Sequence, residues 1–215
     1  MKVLSVNVGL PREVQSARKT VLTSIFKSPV SGRIPVRGNN LEGDRQSDLT
    51  VHGGPPKAIY AYPFEHYAFW TKQLGETLTW GNFGENLTIE GLLEDAVHVG
   101  DRLRIGTTEL IVSQPRMPCF KLGIRFDRPE MVKRFLKSRR SGFYLSVAGE
   151  GEIGADDAIE IIDRDPAAVS IREILEVYVG GEVELDRLRE IVGVPGLAKS
   201  WRDELQELLV ADGRT

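Results

Sequence analysis

The sequence contains very little cysteine. Cys119 is the single thiol among 215 residues. One cysteine cannot form a disulfide within the chain, and it cannot supply a zinc site that needs several thiolates. An unpaired thiol also fits a reducing compartment, so we expect a cytoplasmic protein.

Histidine is scarce as well, and the spacing of its three copies, His52, His66 and His98, matches no zinc motif. His66 stands among the aromatic residues of a predicted helix and His98 stands in a predicted strand, so we expect both to be structural. The sequence has no Walker-type glycine loop and no dinucleotide fingerprint after its first strand. These absences disfavour the common zinc, nucleotide and dinucleotide sites.

Long apolar runs and an excess of basic residues are also missing. No apolar run approaches the roughly 20 residues that span a bilayer. Residues 1–8 indicate a strand and lack the features of a signal peptide. We therefore expect no membrane partner. Because the formal net charge is −3, we also do not expect a nucleic acid as the main partner.

The chain does contain many short strand patterns, separated by turn-forming residues, up to about residue 163. The predicted strands cover residues 3–8, 57–62, 96–99, 102–105, 109–113, 142–147 and 158–162. Short strands at this close spacing indicate a barrel or a folded-over sheet. Two helices are predicted between them, over residues 63–74 and 129–137.

The pattern changes after residue 166, where strand signals almost vanish. Ser170 and Glu173 form a capping-box pattern, which predicts the start of a helix. Further helices are predicted over residues 184–192 and 200–210, separated by glycine and proline. The sequence therefore predicts a fold that is mainly β with α, with a β-rich domain over residues 1–165 and a three-helix extension over 168–212.

The predicted extension is acidic. From residue 170 onward the chain has 6 Lys and Arg against 10 Asp and Glu, a net charge of −4. That sign repels a phosphate backbone, so a helix-turn-helix role on DNA is disfavoured. Its amphipathic helices fit packing on the β-rich domain or a contact in a homodimer.

Cys119 is the main candidate for chemistry. It follows a predicted strand and enters a loop in which Pro115 and Pro118 restrict the backbone. Arg116 and Lys121 are close to it in sequence, and their charge would favour the thiolate, which is the nucleophile and the soft metal ligand. The alternative is a small buried apolar residue, as free cysteine often is.

A second candidate segment covers residues 42–57. His52 precedes Gly53 and Gly54, which permit a tight turn and close approach to a ligand. With the basic Arg45 and Lys57, this loop has the groups that hold a phosphate or another anion. The alternative is a hairpin connection with solvated charges.

A third candidate segment covers residues 80–88. The side-chain amide of Asn86 can donate and accept hydrogen bonds, which suits the edge of a heterocycle. Asparagine also stabilises turns through its own backbone, and that alternative is equally open.

Three strings together resemble the MOSC domain family, and they occur in the family's order. They are Gly43-Asp44…Asp48…His52-Gly53-Gly54, then Gly84-Glu85-Asn86-Leu87-Thr88, then Ser113-Gln114-Pro115-Arg116…Pro118-Cys119. The resemblance is closest to the YiiM-like branch and covers most of residues 1–163. The helical tail resembles the three-helix extension of that branch. No single string is decisive, but the ordered set is specific.

This resemblance implies a barrel-like MOSC β-fold that binds the molybdenum cofactor, a pterin dithiolene with a phosphate. It places the catalytic residue and molybdenum ligand at Cys119. Residues expected to bind the cofactor are Arg45, His52, Gly53, Gly54, Lys57, Asn86 and Arg116. Pyridoxal phosphate binding is also associated with the wider family.

The YiiM-like branch is linked to reduction of N-hydroxylated compounds such as 6-hydroxylaminopurine, and so to their detoxification. The resemblance therefore implies a small-molecule substrate of this kind and electrons from a separate reductase. The sequence has no flavin or iron–sulfur motif of its own, which agrees with an outside donor. The alternative function is a non-catalytic carrier of the molybdenum cofactor or of sulfur, with a persulfide on Cys119.

Overall fold

The structure is a computed structural model that describes residues 1–16, 19–47 and 53–211. The strands are β1 (Lys2–Val8), β2 (Arg12–Ser16), β3 (Lys19–Thr23), β4 (Ser28–Val30), β5 (Ile34–Arg37), β6 (Asn40–Leu41), β7 (Ile59–Pro63), β8 (Leu87–Glu90), β9 (Arg102–Ile105), β10 (Thr108–Pro115), β11 (Phe143–Gly149), β12 (Gly151–Ile153) and β13 (Ile159–Asp163). The helices are α1 (Glu65–Leu74), α2 (Phe120–Phe126), α3 (Met131–Ser138), α4 (Ile171–Tyr178), α5 (Leu185–Gly193) and α6 (Lys199–Ala211).

The main sheet has eight strands in the order β13-β9-β10-β11-β7-β8-β1-β4. Its neighbours are antiparallel except for β7 and β8, which run parallel with Ala61 opposite Leu87. The sheet curls back on itself, because Val3 N donates to Asp157 O at 2.9 Å and so joins β1 to the segment before β13. The predicted fold class, mainly β with a helical C-terminal part, is confirmed.

The sequence pattern explains the inward face of β10. Thr108, Leu110 and Val112 are buried, whereas the alternate residues Glu109 and Ile111 are partly exposed. Successive side chains of a strand point to opposite faces, so this alternation directs every second residue to the core. The other described strands form a three-stranded sheet of β12, β5 and β6 and a hairpin of β2 and β3.

Two apolar clusters lie against the sheet. The larger one combines sheet residues such as Val6 and Leu110 with tail residues such as Ile174 and Trp201. The smaller one is aromatic, and its buried members are Ile25, Tyr60, Tyr62, Tyr67, Trp70, Leu74, Phe83, Leu122, Phe126, Met131 and Phe135. It joins α1, α2 and α3 to β7, so these helices are fixed next to the strand that carries Tyr60.

The three-helix tail packs on the sheet domain. Ser170 caps α4 by accepting a hydrogen bond from Glu173 N at 3.0 Å, which confirms the predicted helix start. In α6, the buried Trp201 donates from Nε1 to Pro115 O at 3.0 Å. The tail thus contacts the last residue of β10, a few residues before Cys119. No helix in the described ranges is long and apolar enough to cross a membrane.

Two local predictions are wrong. Residues 96–99 form a turn with one isolated bridge between His98 and Ser170, not a strand, because backbone groups of Val97 and Val99 bond to the tail segment. The residues after Cys119 form α2 rather than a loop, and Cys119 occupies the position that precedes the first turn. Pro115 and Pro118 suggested a longer loop than the chain forms.

Candidate cofactor site around Cys119

A cavity that is open to solvent lies at the ends of β7, β10 and β11. The lining residues are Thr23, Ser24, Ile25, Lys27, Asp44, Gln46, Ser47, Lys57, Tyr60, Gly84, Asn86, Arg116, Cys119, Lys121 and Tyr144. Four of them carry cationic groups and one carries a carboxylate, so the cavity favours an anion.

Arg116 follows β10 directly and is buried. Its guanidinium lies over the Tyr60 ring, 4.5 Å from the centroid, and donates to Phe83 O. Burial opposes the charge of Arg116, but Tyr60, Tyr144 and Cys119 interact with that charge and raise the pKa overall. Arg116 therefore stays protonated beside the thiol.

Tyr60 and Tyr144 form one wall of the cavity. Their ring centroids are 5.2 Å apart on the adjacent strands β7 and β11. Burial raises the pKa of both phenols, so both remain protonated at neutral pH. The Tyr60 hydroxyl donates to Ser141 O at 2.6 Å, which fixes its ring under Arg116.

Cys119 is the single sulfur of this wall and is partly exposed. Because it is neither deeply buried nor a member of either apolar cluster, the alternative of a small apolar core residue is not favoured. Arg116 and Lys121, its neighbours in sequence, line the same cavity. Lys121 is buried and donates from Nζ to Ser47 Oγ at 2.9 Å.

Lys27 and Asp44 form a buried ion pair in the cavity wall. Asp44 Oδ1 also accepts from Gly9 N at 2.8 Å, and Asp44 Oδ2 accepts from Asn86 Nδ2 at 2.9 Å. Burial lowers the pKa of Lys27 even though Asp44 opposes this shift. Asp44 thus stabilises the charged form of Lys27 at a place where water screens the charges poorly.

Asn86 lines the cavity, but its amide binds protein atoms. Its Oδ1 accepts from Tyr60 N at 3.1 Å, and its Nδ2 donates to Asp44. Asn86 thus joins β7 to the buried ion pair instead of stabilising its own turn. Gly84, two residues earlier, has φ +77°, and a Cβ there would lie 2.8 Å from Ile25 Cγ1.

Lys57 ends a 3-10 helix, Pro55–Lys57, that leads into β7. Burial lowers the pKa of its ammonium group. Gly53 and Gly54 precede this turn and are not part of the cavity wall, although Gly54 O accepts from Lys57 N at 3.0 Å. Gly54 therefore helps to place Lys57.

The structure brings four of the predicted site residues together: Lys57, Asn86, Arg116 and Cys119. Arg45 is exposed and does not line the cavity, although its neighbours Asp44 and Gln46 do. His52 lies outside the described residues. The roles assigned to all of these side chains stay predictions.

Sequence reasoning missed Ser24, Lys27, Tyr60 and Tyr144. Ser24 is 9% exposed, and its hydroxyl has no hydrogen-bond partner among the described residues. An unpaired buried hydroxyl is costly, which suggests that a ligand completes it. The segment that contains Ser24 and Lys27 has no recognisable motif, so no local signal could have selected these two residues.

The other histidines have structural surroundings, as predicted. His66 is buried with Nε2 at 2.8 Å from Glu94 Oε2, and His98 Nδ1 lies 3.5 Å from Asp101 Oδ2. Within the described ranges, no three His, Cys, Asp or Glu side chains form a group that could hold a metal ion. A metal at Cys119 would thus need further ligands from a cofactor.

The MOSC domain family model matches residues 48–160, more than half of the chain. The chain belongs to the MOSC domain family. A second model, the YiiM-like 3-alpha helix domain, matches residues 169–210 of this MOSC protein. The crystal structure of YiiM from Geobacillus stearothermophilus superposes with a TM-score of 0.81 at 35% identity, covering 97% of this chain and 98% of that chain. The YiiM-like resemblance is confirmed.

Two sequence relatives complete the comparison. YflK of Bacillus subtilis (strain 168) is 37% identical over 200 residues, which cover 93% of this chain and 90% of YflK. A protein named Reductase from Gibberella moniliformis (strain M3125 / FGSC 7600) is 29% identical over 179 residues. That match covers 81% of this MOSC protein and 32% of the longer relative.

The MOSC domain is related to the C-terminal domain of molybdenum cofactor sulfurase, and the side chains that line the cavity are of the chemical types that such a cofactor needs. The thiol of Cys119 is a soft ligand of the kind that molybdenum accepts. The cationic side chains match the phosphate of the cofactor. The unpaired Ser24 hydroxyl supplies one more hydrogen-bonding group in the same wall.

Proposed function

We propose that this MOSC protein is a molybdenum-cofactor-dependent reductase of N-hydroxylated compounds. One observation carries the proposal: a single thiol, Cys119, lines a cavity with Lys27, Lys57, Arg116 and Lys121. This arrangement combines a soft metal ligand with a strongly cationic wall, and an anionic metal cofactor needs both.

The cationic side chains would hold the cofactor by its charge. Arg116 is the most rigid of them, because Phe83 O and the Tyr60 ring fix its guanidinium next to Cys119. Lys121 and Lys57 approach from α2 and from the turn before β7. Groups fixed before binding lose little freedom on binding, so they stabilise the complex effectively.

The bound cofactor would supply the two-electron chemistry at molybdenum. In the overall reaction an N–O bond breaks, two electrons and two protons are taken up, and an amine and water are formed. Tyr60 and Tyr144 would bound the substrate with neutral, protonated rings, since burial raises the pKa of both. The chain would thus contribute binding, orientation and exclusion of water.

Electrons would come from a separate protein. The sequence lacks a flavin or iron–sulfur motif, and the relative named Reductase contains the matching segment as about a third of its length. An arrangement in which a MOSC domain works with a second redox unit is consistent with both observations.

The decisive test is the molybdenum content per chain of protein made in cofactor-replete cells. We expect molybdenum in the wild type and at least a tenfold loss in Cys119→Ser, because serine is a poor ligand for a soft metal. Arg45→Ala is the control, since Arg45 is exposed and outside the cavity wall. Both variants should keep the circular dichroism spectrum and unfolding temperature of the wild type.

Turnover completes the test. Wild-type holoprotein should reduce 6-hydroxylaminopurine with reduced methyl viologen as donor, and Cys119→Ser should not. Well-folded wild type without molybdenum, or a fully active serine variant, would refute the proposal. Mass spectrometry that finds an extra sulfur atom on Cys119 would then favour a sulfur carrier.

A further inference from the structure

The segment after Cys119 has a charge opposite to that of the whole chain. Residues 120–140 contain 8 Lys and Arg against 2 Asp and Glu, a net of +6, whereas the whole chain has a net charge of −3. The remaining residues therefore sum to −9. The cations of this segment are Lys121, Arg125, Arg128, Lys133, Arg134, Lys137, Arg139 and Arg140.

These cations lie on α2 and α3 and in the short segments that follow each helix, and we call residues 120–140 the basic helix pair. The pair begins next to the proposed redox site, because Phe120 follows Cys119 and Lys121 lines the cavity. The seven residues of α2 span about 10 Å. The positive charge thus starts at the cavity and continues onto the neighbouring surface.

Carboxylates do not neutralise this charge locally. Among the described residues, Arg128 is the one cation of the pair with a carboxylate within ion-pair distance, Glu76 at 3.7 Å. Arg134 donates to Gln73 O, and Arg140 lies over the Phe69 ring. Lys133 and Lys137 are exposed and have no partner within the described part of the chain.

An exposed aromatic side chain accompanies the charge. Phe120 is 60% exposed, although it is adjacent to the cavity wall in sequence. Exposed aromatic side chains are enriched where proteins contact one another. Weak complexes between electron-transfer proteins bury small areas and depend strongly on charge, so one aromatic ring among cations suits such a contact.

We propose that the basic helix pair is the docking surface for an acidic electron-donor protein. The inference rests on the proposed reductase function, which requires two electrons from outside the chain. A donor must approach the cavity closely, and a cationic surface beside the cavity would attract an acidic protein and orient it.

A compact acidic protein fits this surface better than a nucleic acid does. A nucleic acid that extends beyond the basic helix pair would be repelled by the rest of the molecule, whose net charge is −9. An acidic protein the size of the patch avoids that repulsion. The attraction between the acidic protein and the basic helix pair should also weaken as salt is added, because exposed charges are screened over roughly 10 Å at 0.1 M ionic strength.

The test uses holoprotein and a reduced bacterial flavodoxin, a small acidic flavoprotein, as the probe donor. Lys133→Glu with Lys137→Glu reverses two exposed charges outside the cavity wall. The matched control is Arg189→Glu with Lys199→Glu, which makes the same change in net charge on the tail. Flavodoxin binding is measured by titration calorimetry, and turnover is measured with flavodoxin and separately with reduced methyl viologen.

We expect the α3 double variant to weaken flavodoxin binding about tenfold and to raise the KM for flavodoxin similarly. The control variant should change the flavodoxin affinity and the KM for flavodoxin by less than about twofold. Viologen-driven turnover should be unchanged in both variants.

Three results would overturn the inference: no flavodoxin binding by the wild type at low salt, equal effects of the two variants, or an equal fall in viologen-driven turnover. Loss of binding to a single-stranded oligonucleotide, with flavodoxin binding unchanged, would assign the surface to nucleic acid instead. Absence of viologen-driven turnover in the wild type refutes the reductase proposal, whereas the calorimetric result tests the docking surface separately.

Discussion

At the scale of single residues, the buried Lys27–Asp44 ion pair of the cavity wall is costly to desolvate. Both side chains are almost completely buried, so each charge depends on the other. Lys27→Met would leave the Asp44 carboxylate in place without its cation. We expect the free energy of unfolding to fall by about 3–5 kcal/mol, measured by urea denaturation.

The matched variant for this prediction is Lys27→Met combined with Asp44→Asn. Removing both charges removes the unpaired carboxylate, so the double variant should recover at least half of the lost stability. A double variant as unstable as the single one would mean that the Asp44 hydrogen bonds to Gly9 and Asn86, rather than its charge, dominate.

The buried carboxylate of Glu94 predicts a pH dependence of stability. Burial opposes its charge, but His66 and the amide of Gly142 lower its pKa below the ordinary value of 4.5. A carboxyl with a lowered folded-state pKa stabilises the protein above its unfolded-state pKa, and this contribution is lost as pH falls through the folded-state value.

Glu94→Gln should therefore lose about 1.5–3 kcal/mol of unfolding free energy at neutral pH. The difference from wild type should shrink as the pH is lowered below 4.5, the ordinary pKa of this group. Urea denaturation over this pH series measures it. A difference that stays constant across the series would show that the charge of Glu94 is irrelevant.

The sequence alone could identify those cavity residues that belong to recognisable sequence motifs. Cys119 and Arg116 are neighbours in one string, and that string was sufficient to select them. Lys27 and Ser24 could not be found in this way, because their segment reaches the cavity through pairing of β4 with β1. Their burial is a product of the whole sheet rather than of local sequence.

At the scale of elements, the cap of α4 gives a clear prediction. Ser170 Oγ accepts from Glu173 N at 3.0 Å, and this bond satisfies one free amide of the first turn. Ser170→Ala should destabilise the protein by about 1 kcal/mol in thermal or urea unfolding. Ser200→Ala, an exposed position within α6, should change stability by less than about 0.5 kcal/mol. Equal losses would contradict the capping role.

Strands and helices were predictable where the sequence pattern agrees with the hydrogen-bonding partners that the segment has in the fold. The predicted strand over residues 102–105 has the same ends as β9, because its alternation matches burial on the sheet. Residues 96–99 have the same alternation, but the tail segment takes their hydrogen bonds and leaves a turn. The helix α2 was not predicted, because it contains Gly123 and glycine weakens a helical sequence pattern. In the structure, this glycine allows close contact with Pro129.

At the scale of the whole molecule, the tail and the sheet share one apolar cluster. Trp201 of the tail is 2% exposed and donates a hydrogen bond to Pro115 O, so it connects the tail to the sheet. Trp201→Ala should lower the unfolding free energy by about 3–5 kcal/mol. Because the cluster is continuous, the variant should still unfold in a single transition by both circular dichroism and fluorescence.

Trp80→Ala provides the control, because Trp80 is 39% exposed. Its substitution should cost less than about 0.5 kcal/mol. If the tail melts first in Trp201→Ala while the strands remain folded, then the two parts are energetically independent despite their contact.

The position of β1 in the sheet has a consequence for protein synthesis. β1 lies between β8 and β4, and Val3 bonds to Asp157, a residue made almost at the end of the β-rich part. On the ribosome, β1 emerges about 150 residues before Asp157 and must therefore wait for one of its last partners. Until then its edge is open to chaperones and to other nascent chains, and closure of the sheet is expected to be slow.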